Sequence, residues 1–223
     1  MPITPPRLSA AVNHQRFGLH EEMTNQPFLN HMKIKYLLPL TLIGIAFVRV
    51  TATTVIPPTF DQLVQQAELI FQGTVTDVRA VWEGEGAQRH IDTYVTFQIQ
   101  DSMKGNAGAA YTIRLLGGTV GDETMEVTDA PKFKVGDRDI LFVEHNNDQF
   151  IPLVGINNGR FHVQRDEQTG RDVVVNGEGE PVRDVTKLGR EEESVSAADA
   201  ISPEQLKSAV QKQLIDKADH PAQ

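Results

Sequence analysis

LIFQGTVTDVRAVW, residues 69–82, changes the phase of its side chains halfway along. Leu69, Phe71, Gly73 and Val75 alternate on one parity, and Val78, Ala80 and Trp82 continue on the other. Successive side chains of a strand face opposite ways, so one apolar face survives that switch only if an extra residue is inserted near Thr76-Asp77. Such a bulge bends the strand, and a long, bent first strand is the mark of a small barrel.

On the N-terminal side, Pro57 and Pro58 precede T-F-D-Q, a capping box with Thr59 as N-cap and Gln62 reaching back. Phe60, Leu63, Val64 and Ala67 follow at helical spacing, which predicts a helix of about ten residues. On the C-terminal side, IDTYVTFQIQ (91–100) alternates cleanly, with Ile91, Thr93, Val95, Phe97 and Ile99 on one face and Asp92, Tyr94 and Thr96 on the other. A third strand, residues 111–116, ends at Gly117-Gly118, and the polar stretch 119–134 reads as a long loop. Residues 140–143 are apolar on both faces, which predicts a central strand. Residues 150–154 contain Pro152 and read as an edge strand. Residues 159–165 and 171–175 form a hairpin around an Asp166 to Gly170 turn, and Ser202-Pro203-Glu204-Gln205 opens a last helix. The expected fold is mainly β: a small antiparallel OB-like β-barrel, or a sandwich, with a short N-terminal helix and a C-terminal helix.

The phrases TFDQLVQQAELIFQGTVTDVRAVW, TYVTFQIQDSMKG, LLGGTVG, VGDRDILFV and PLVGINNGRFHV resemble a family of uncharacterised secreted bacterial proteins, over residues 59–163. The helix, the GTV strand and the later KG turn are also similar to the netrin-like module of metalloproteinase inhibitors, itself an OB-type barrel. The family resemblance implies a fold and a compartment, and no known activity. Those inhibitors chelate the protease zinc through an N-terminal Cys, and this chain has no cysteine.

MKIKYLLPLTLIGIAFVRVTA, residues 32–52, has the parts of a secretory signal peptide: Lys33 and Lys35, a short apolar core, and Val50-Thr51-Ala52 as cleavage site. Residues 1–31 then read as an upstream mis-start or a disordered segment. The expected organisation continues with a β-barrel domain over 53–176, a charged linker over 177–201 and a C-terminal helix over 202–218. The compartment expected is the bacterial periplasm or the extracellular space, with no membrane insertion after the leader is removed. The chain has 21 basic and 30 acidic residues. Loss of Arg7, Arg16, Lys33, Lys35, Arg49, Glu21 and Glu22 with the leader makes it more acidic still. That balance argues against nucleic acid, which is held mainly by Lys and Arg. The absence of cysteine excludes thiol catalysis and thiolate metal sites.

Catalytic and metal readings are weak. His90, His145, His162 and His220 show no helical zinc spacing, and His162, between Phe161 and Val163, reads as the solvent face of a strand. His145 could meet Asp137 or Asp139, and Asp122, Glu123, Glu126 and Asp129 give an oxygen-rich loop without EF-hand spacing. Gly117-Gly118-Thr119-Val120-Gly121 lacks the Lys of a phosphate loop, so its glycines serve the backbone. The expected binding surface comprises Trp82, Tyr94, Gly117, Gly118, Thr119, Asp122, Glu123 and Asn157. No catalytic residue, cofactor or metal is assigned. The function expected is an exported, monomeric, non-enzymatic binding module whose partner is an exported protein or peptide, in its specific version a protease. The competing readings are a calcium- or metal-dependent hydrolase, with Asp137, Asp139 and His145 converging on the loop carboxylates, and a structural protein of the cell envelope.

Overall fold

The computed structural model describes residues 57–188 and 196–219. The expected leader and upstream segment, part of the expected linker, and His220 lie outside the described residues.

Helix α1 (Phe60–Gln66) begins at the predicted capping box, with the Gln62 N–H donating to Thr59 Oγ1 at 3.3 Å and the Thr59 N–H donating to Gln62 Oε1 at 2.8 Å. It is shorter than predicted because the chain extends at Ala67 and enters β1 (Leu69–Glu83). Its last carbonyls are taken up by one side chain: Lys104 Nζ donates to Val64 O at 2.7 Å, to Gln65 O at 3.2 Å and to Ala67 O. Burial, helped by the nearby Lys217, lowers the Lys104 pKa.

Strand β2 (His90–Lys104) pairs with the whole of β1. Val75 faces Phe97 and Asp77 faces Thr96, so Thr76 is the extra residue that the phase change demanded. Beyond it Val78, Ala80 and Trp82 face Val95, Thr93 and Ile91, which restores the apolar face. The remaining strands are β3 (Ala110–Leu116), β4 (Gly118–Val120), β5 (Glu123–Met125), β6 (Arg138–Val143), β7 (Arg160–Arg165) and β8 (Asp172–Val175), followed by helix α2 (Pro203–Asp219). Six strands form one antiparallel sheet in the order β3-β2-β1-β6-β7-β8, and β4 and β5 form a separate hairpin. The fold is thus mainly β with two helices. The ladder does not close on itself.

Three segments differ from the expectation. The loop 119–134 contains the β4–β5 hairpin, turned by Gly121-Asp122. Residues 150–154 are not a strand; Leu153 makes an isolated bridge to Val143, as suits a segment containing Pro152. Part of the stretch read as linker is packed: Pro181 bridges Val175 and Val182 is buried in the core.

Strand β6 is central, as its apolar run predicted, and it feeds two cores. Ile140 and Phe142 join α1, α2, Phe161 and Val174 on one face, while Leu141 and Val143 join Phe71, Val75, Val95, Phe97 and Ile113 on the other. Among the described residues no helix is long and apolar enough to cross a membrane.

Candidate functional site

The sheet divides at Val75. Up to that point β1 has β6 beside it, paired from Leu69–Val143 to Thr74–Arg138. The last rungs are the Val75 N–H donating to Asp137 O at 2.8 Å and the Gly136 N–H donating to Val75 O at 2.9 Å. Beyond the bulge β1 continues with β2, while the chain leading into β6 swings away. Over the face of β1, β2 and β3 in this half lies a cleft of about 730 Å³. Its floor is Val78, Ala80, Thr93, Val95 and Leu115, and its roof is the β4–β5 hairpin with the strap of residues 126–133.

Two glycines lay the hairpin onto the floor. A Cβ on Gly118 would lie 2.3 Å from Thr93 Oγ1 and 3.1 Å from Ala80 Cβ, and its φ of +139° is one that side chains rarely adopt. Thr93 donates from Oγ1 to Gly117 O at 2.6 Å, which anchors the same turn. The GGTVG run serves the backbone, and what it builds is the roof of a cavity.

The strap is tied to the sheet by Arg160. Its Nη1 donates to Lys132 O at 2.7 Å, its Nη2 donates to Asp137 Oδ2 at 3.0 Å and Asp139 Oδ2 at 2.9 Å, and its guanidinium carbon lies 3.8 Å from the centre of the Phe133 ring. Arg160 is 3% exposed and Asp139 is fully buried, so each charge depends on the other, and removing either would leave a buried ion uncompensated. His162 was expected on the solvent face. It instead turns toward this cluster, its Nδ1 2.7 Å from Asp139 Oδ1 but out of line for a hydrogen bond, and its side chain is 25% exposed.

The sequence-derived surface is only partly gathered here. Gly117, Gly118 and Thr119 line the cleft. Asp122 and Glu123 are exposed at the hairpin tip. Trp82 lies on the floor-side face farther along β1, its ring 4.0 Å from the guanidinium carbon of Arg89. Tyr94 is on the opposite face and donates to Glu83 Oε1 at 3.1 Å; burial and that hydrogen bond raise its pKa. Asn157 lines a separate cleft of about 320 Å³ beside Pro58, and its Nδ2 donates to Gly177 O at 3.1 Å.

The carboxylates and histidine weighed for a hydrolase are dispersed. Asp137 and Asp139 face Arg160, whereas His145 sits past the far end of β6, its Nδ1 3.2 Å from Glu68 Oε1. Among the described residues no three His, Cys, Asp or Glu side chains could share a metal ion. Asp92, placed by its parity on the polar face, is 2% exposed and pairs with Arg114 Nη1 at 2.9 Å. The arginine in the otherwise apolar end of β3 was the available signal for that pair. Val78, Ala80 and the strap were not legible as a site, because only the folding of residues 117–133 over the face of β1 and β2 brings them together.

No protein-family model, no curated protein and no solved structure matches this chain.

Proposed function

We propose that the protein is an exported, non-enzymatic binding module that takes part of a protein or peptide partner into the cleft between β1 and the strap. The observation that carries this reading is the cleft itself. It is large enough for a ligand-sized group, and it combines apolar floor residues with backbone and carboxylate groups at its rim. The principal buried carboxylates, Asp92 and Asp139, are engaged by Arg114 and Arg160, which suits architecture better than turnover. Export is supported by the leader-like residues 32–52.

The barrel-like reading also belongs here. Leu116 donates its N–H to Phe150 O at 2.8 Å and Glu144 donates its N–H to Pro152 O at 3.2 Å, so residues 150–153 lean on both β3 and β6. Those contacts support a nearly closed wall around the second core. The netrin-like resemblance suggests a protease as the specific partner.

The test is a photo-crosslinking amino acid placed at Thr128, an exposed residue lining the cleft, and at Ser208 on α2 as control. Incubation with secreted and periplasmic fractions should give one dominant 1:1 adduct from position 128 and none from 208. Equal labelling from both positions, or none from 128, would overturn the reading.

A further inference from the structure

Antiparallel sheets expose two kinds of edge, and natural proteins usually cover them, because an uncovered edge pairs with any extended chain. Here the outer two are covered by the protein itself. On β3, Arg114 N–H donates to Asn146 Oδ1 at 3.1 Å, Asn146 Nδ2 donates to Thr112 O at 2.9 Å, and Leu116 N–H donates to Phe150 O at 2.8 Å. On β8, Val174 N–H donates to Ile201 O at 2.9 Å and Val174 O accepts from Val182 N–H at 3.0 Å.

The inner edge beyond the fork is different. Past Val75, β1 runs on to Glu83 with β2 on one side, and no backbone group among the described residues bonds to its other side. Two residues of the same stretch, Val78 and Ala80, line the cleft. The chain therefore presents a strand-length row of amides and carbonyls beside a cavity.

We propose, building on the cleft as the binding site, that the partner segment is an extended, basic peptide that adds to residues 77–83 as a further strand. Backbone pairing along β1 supplies the affinity, and alternate side chains turn inward over Val78, Ala80 and Trp82. The charge preference comes from the roof. Residues 117–136 carry Asp122, Glu123, Glu126 and Asp129 against Lys132 and Lys134. All four carboxylates are exposed, and none forms an ion pair among the described residues. A second copy of the chain would bring the same acidic roof against itself, which like-charge repulsion opposes. Lysine or arginine of a foreign strand meets these carboxylates at the mouth of the cleft instead.

Trp82, the chain's single tryptophan, sits on the inward face of this edge and gives the readout. The purified protein is titrated with a capped peptide alternating valine and lysine, as long as the free edge, and with its valine–glutamate counterpart. The expected result is a saturable blue shift of Trp82 emission with the first peptide and a response weaker by about tenfold or more with the second. N-methylation of every second peptide nitrogen should weaken binding by about tenfold or more in one phase and little in the other, because only alternate N–H groups of an added strand face its neighbour. Glu126→Lys with Asp129→Lys should reverse the charge preference.

Loss of the phase dependence, or no Trp82 response to either peptide, would overturn the strand-addition proposal even if position 128 crosslinks a partner, in which case the cleft reading stands alone. A Trp82 shift produced by protein concentration without peptide would assign the edge to a second copy and overturn the basic-peptide proposal.

Discussion

The two halves of this sheet are built from the same bent strand and reach opposite states. The first half of β1, with β6, β7 and β8, is bounded on both sides: Phe60, Leu63, Leu206 and Val210 of the helices pack against Ile140, Phe142 and Phe161, while Leu141 and Val143 face the second core. The second half, from the Thr76 bulge to Glu83, keeps β2 but loses β6, and a hairpin and strap stand off from it across a cleft. The boundary between the two halves coincides with the inserted Thr76.

Phe142→Ala breaks the first half most severely. Phe142 is fully buried and stacks edge-on against Phe60 and Phe161, at centroid distances of 6.4 and 5.5 Å. Truncation should cost about 3–5 kcal/mol, which for a domain of this size lowers the melting midpoint by roughly 2–4 °C per kcal/mol in calorimetry. A drop as small as that of an exposed substitution would mean that the helices are not integral to the sheet.

Gly118→Ala strikes the second half with a smaller penalty. Its Cβ has no room beside Thr93 Oγ1, so the hairpin must lift, at about 1–3 kcal/mol. The informative outcome is the combination: a modest loss of stability in thermal melts together with loss of crosslinking from position 128. An unchanged crosslink would show that the roof does not shape the site.

Asp172→Asn gives the smallest effect and separates the halves by pH. The hydrogen bond from Arg138 Nη2, 2.6 Å away, holds the Asp172 carboxyl below its ordinary value, with Arg165 adding to it and burial opposing. The folded-state pKa lies below the unfolded one of about 3.9, so the stabilisation is present above that value and disappears as pH falls through the folded pKa. Urea melts at neutral pH should show the variant less stable than the parent, with the gap closing below about pH 4. A gap that persists in strong acid would point to lost packing instead of lost charge.

Much of the fold was written in local patterns. Both capping boxes, the Thr76 phase change, the two-sided run in β6 and the β7–β8 hairpin each depend on neighbours in sequence, and the structure shows all of them. What escaped depends on partners far along the chain. The periodicity of Asp92 was read correctly, yet its burial comes from Arg114, two strand positions away on β3. The loop 119–134 lacks a run of alternating residues, so a hairpin with strands this short leaves no periodic trace. Of the candidate surface, the glycines were legible because an unusual backbone demands them. Tyr94 was chosen for its place on the polar face of β2 and Asn157 as part of the rim; the structure keeps Tyr94 on that face, opposite the cleft, and puts Asn157 in a separate cleft.

Asn146 carries a wider consequence. A single amide side chain takes the place of a neighbouring strand on β3, accepting from one backbone N–H and donating to one carbonyl. With β8 closed by residues 182 and 201, growth of the sheet has a valence of one. A fibre needs every molecule to receive a strand on one flank and offer one on the other. With strand addition at the fork as proposed, this molecule receives on one flank and offers no open flank of its own, so copies of it do not extend a fibre through their own edges.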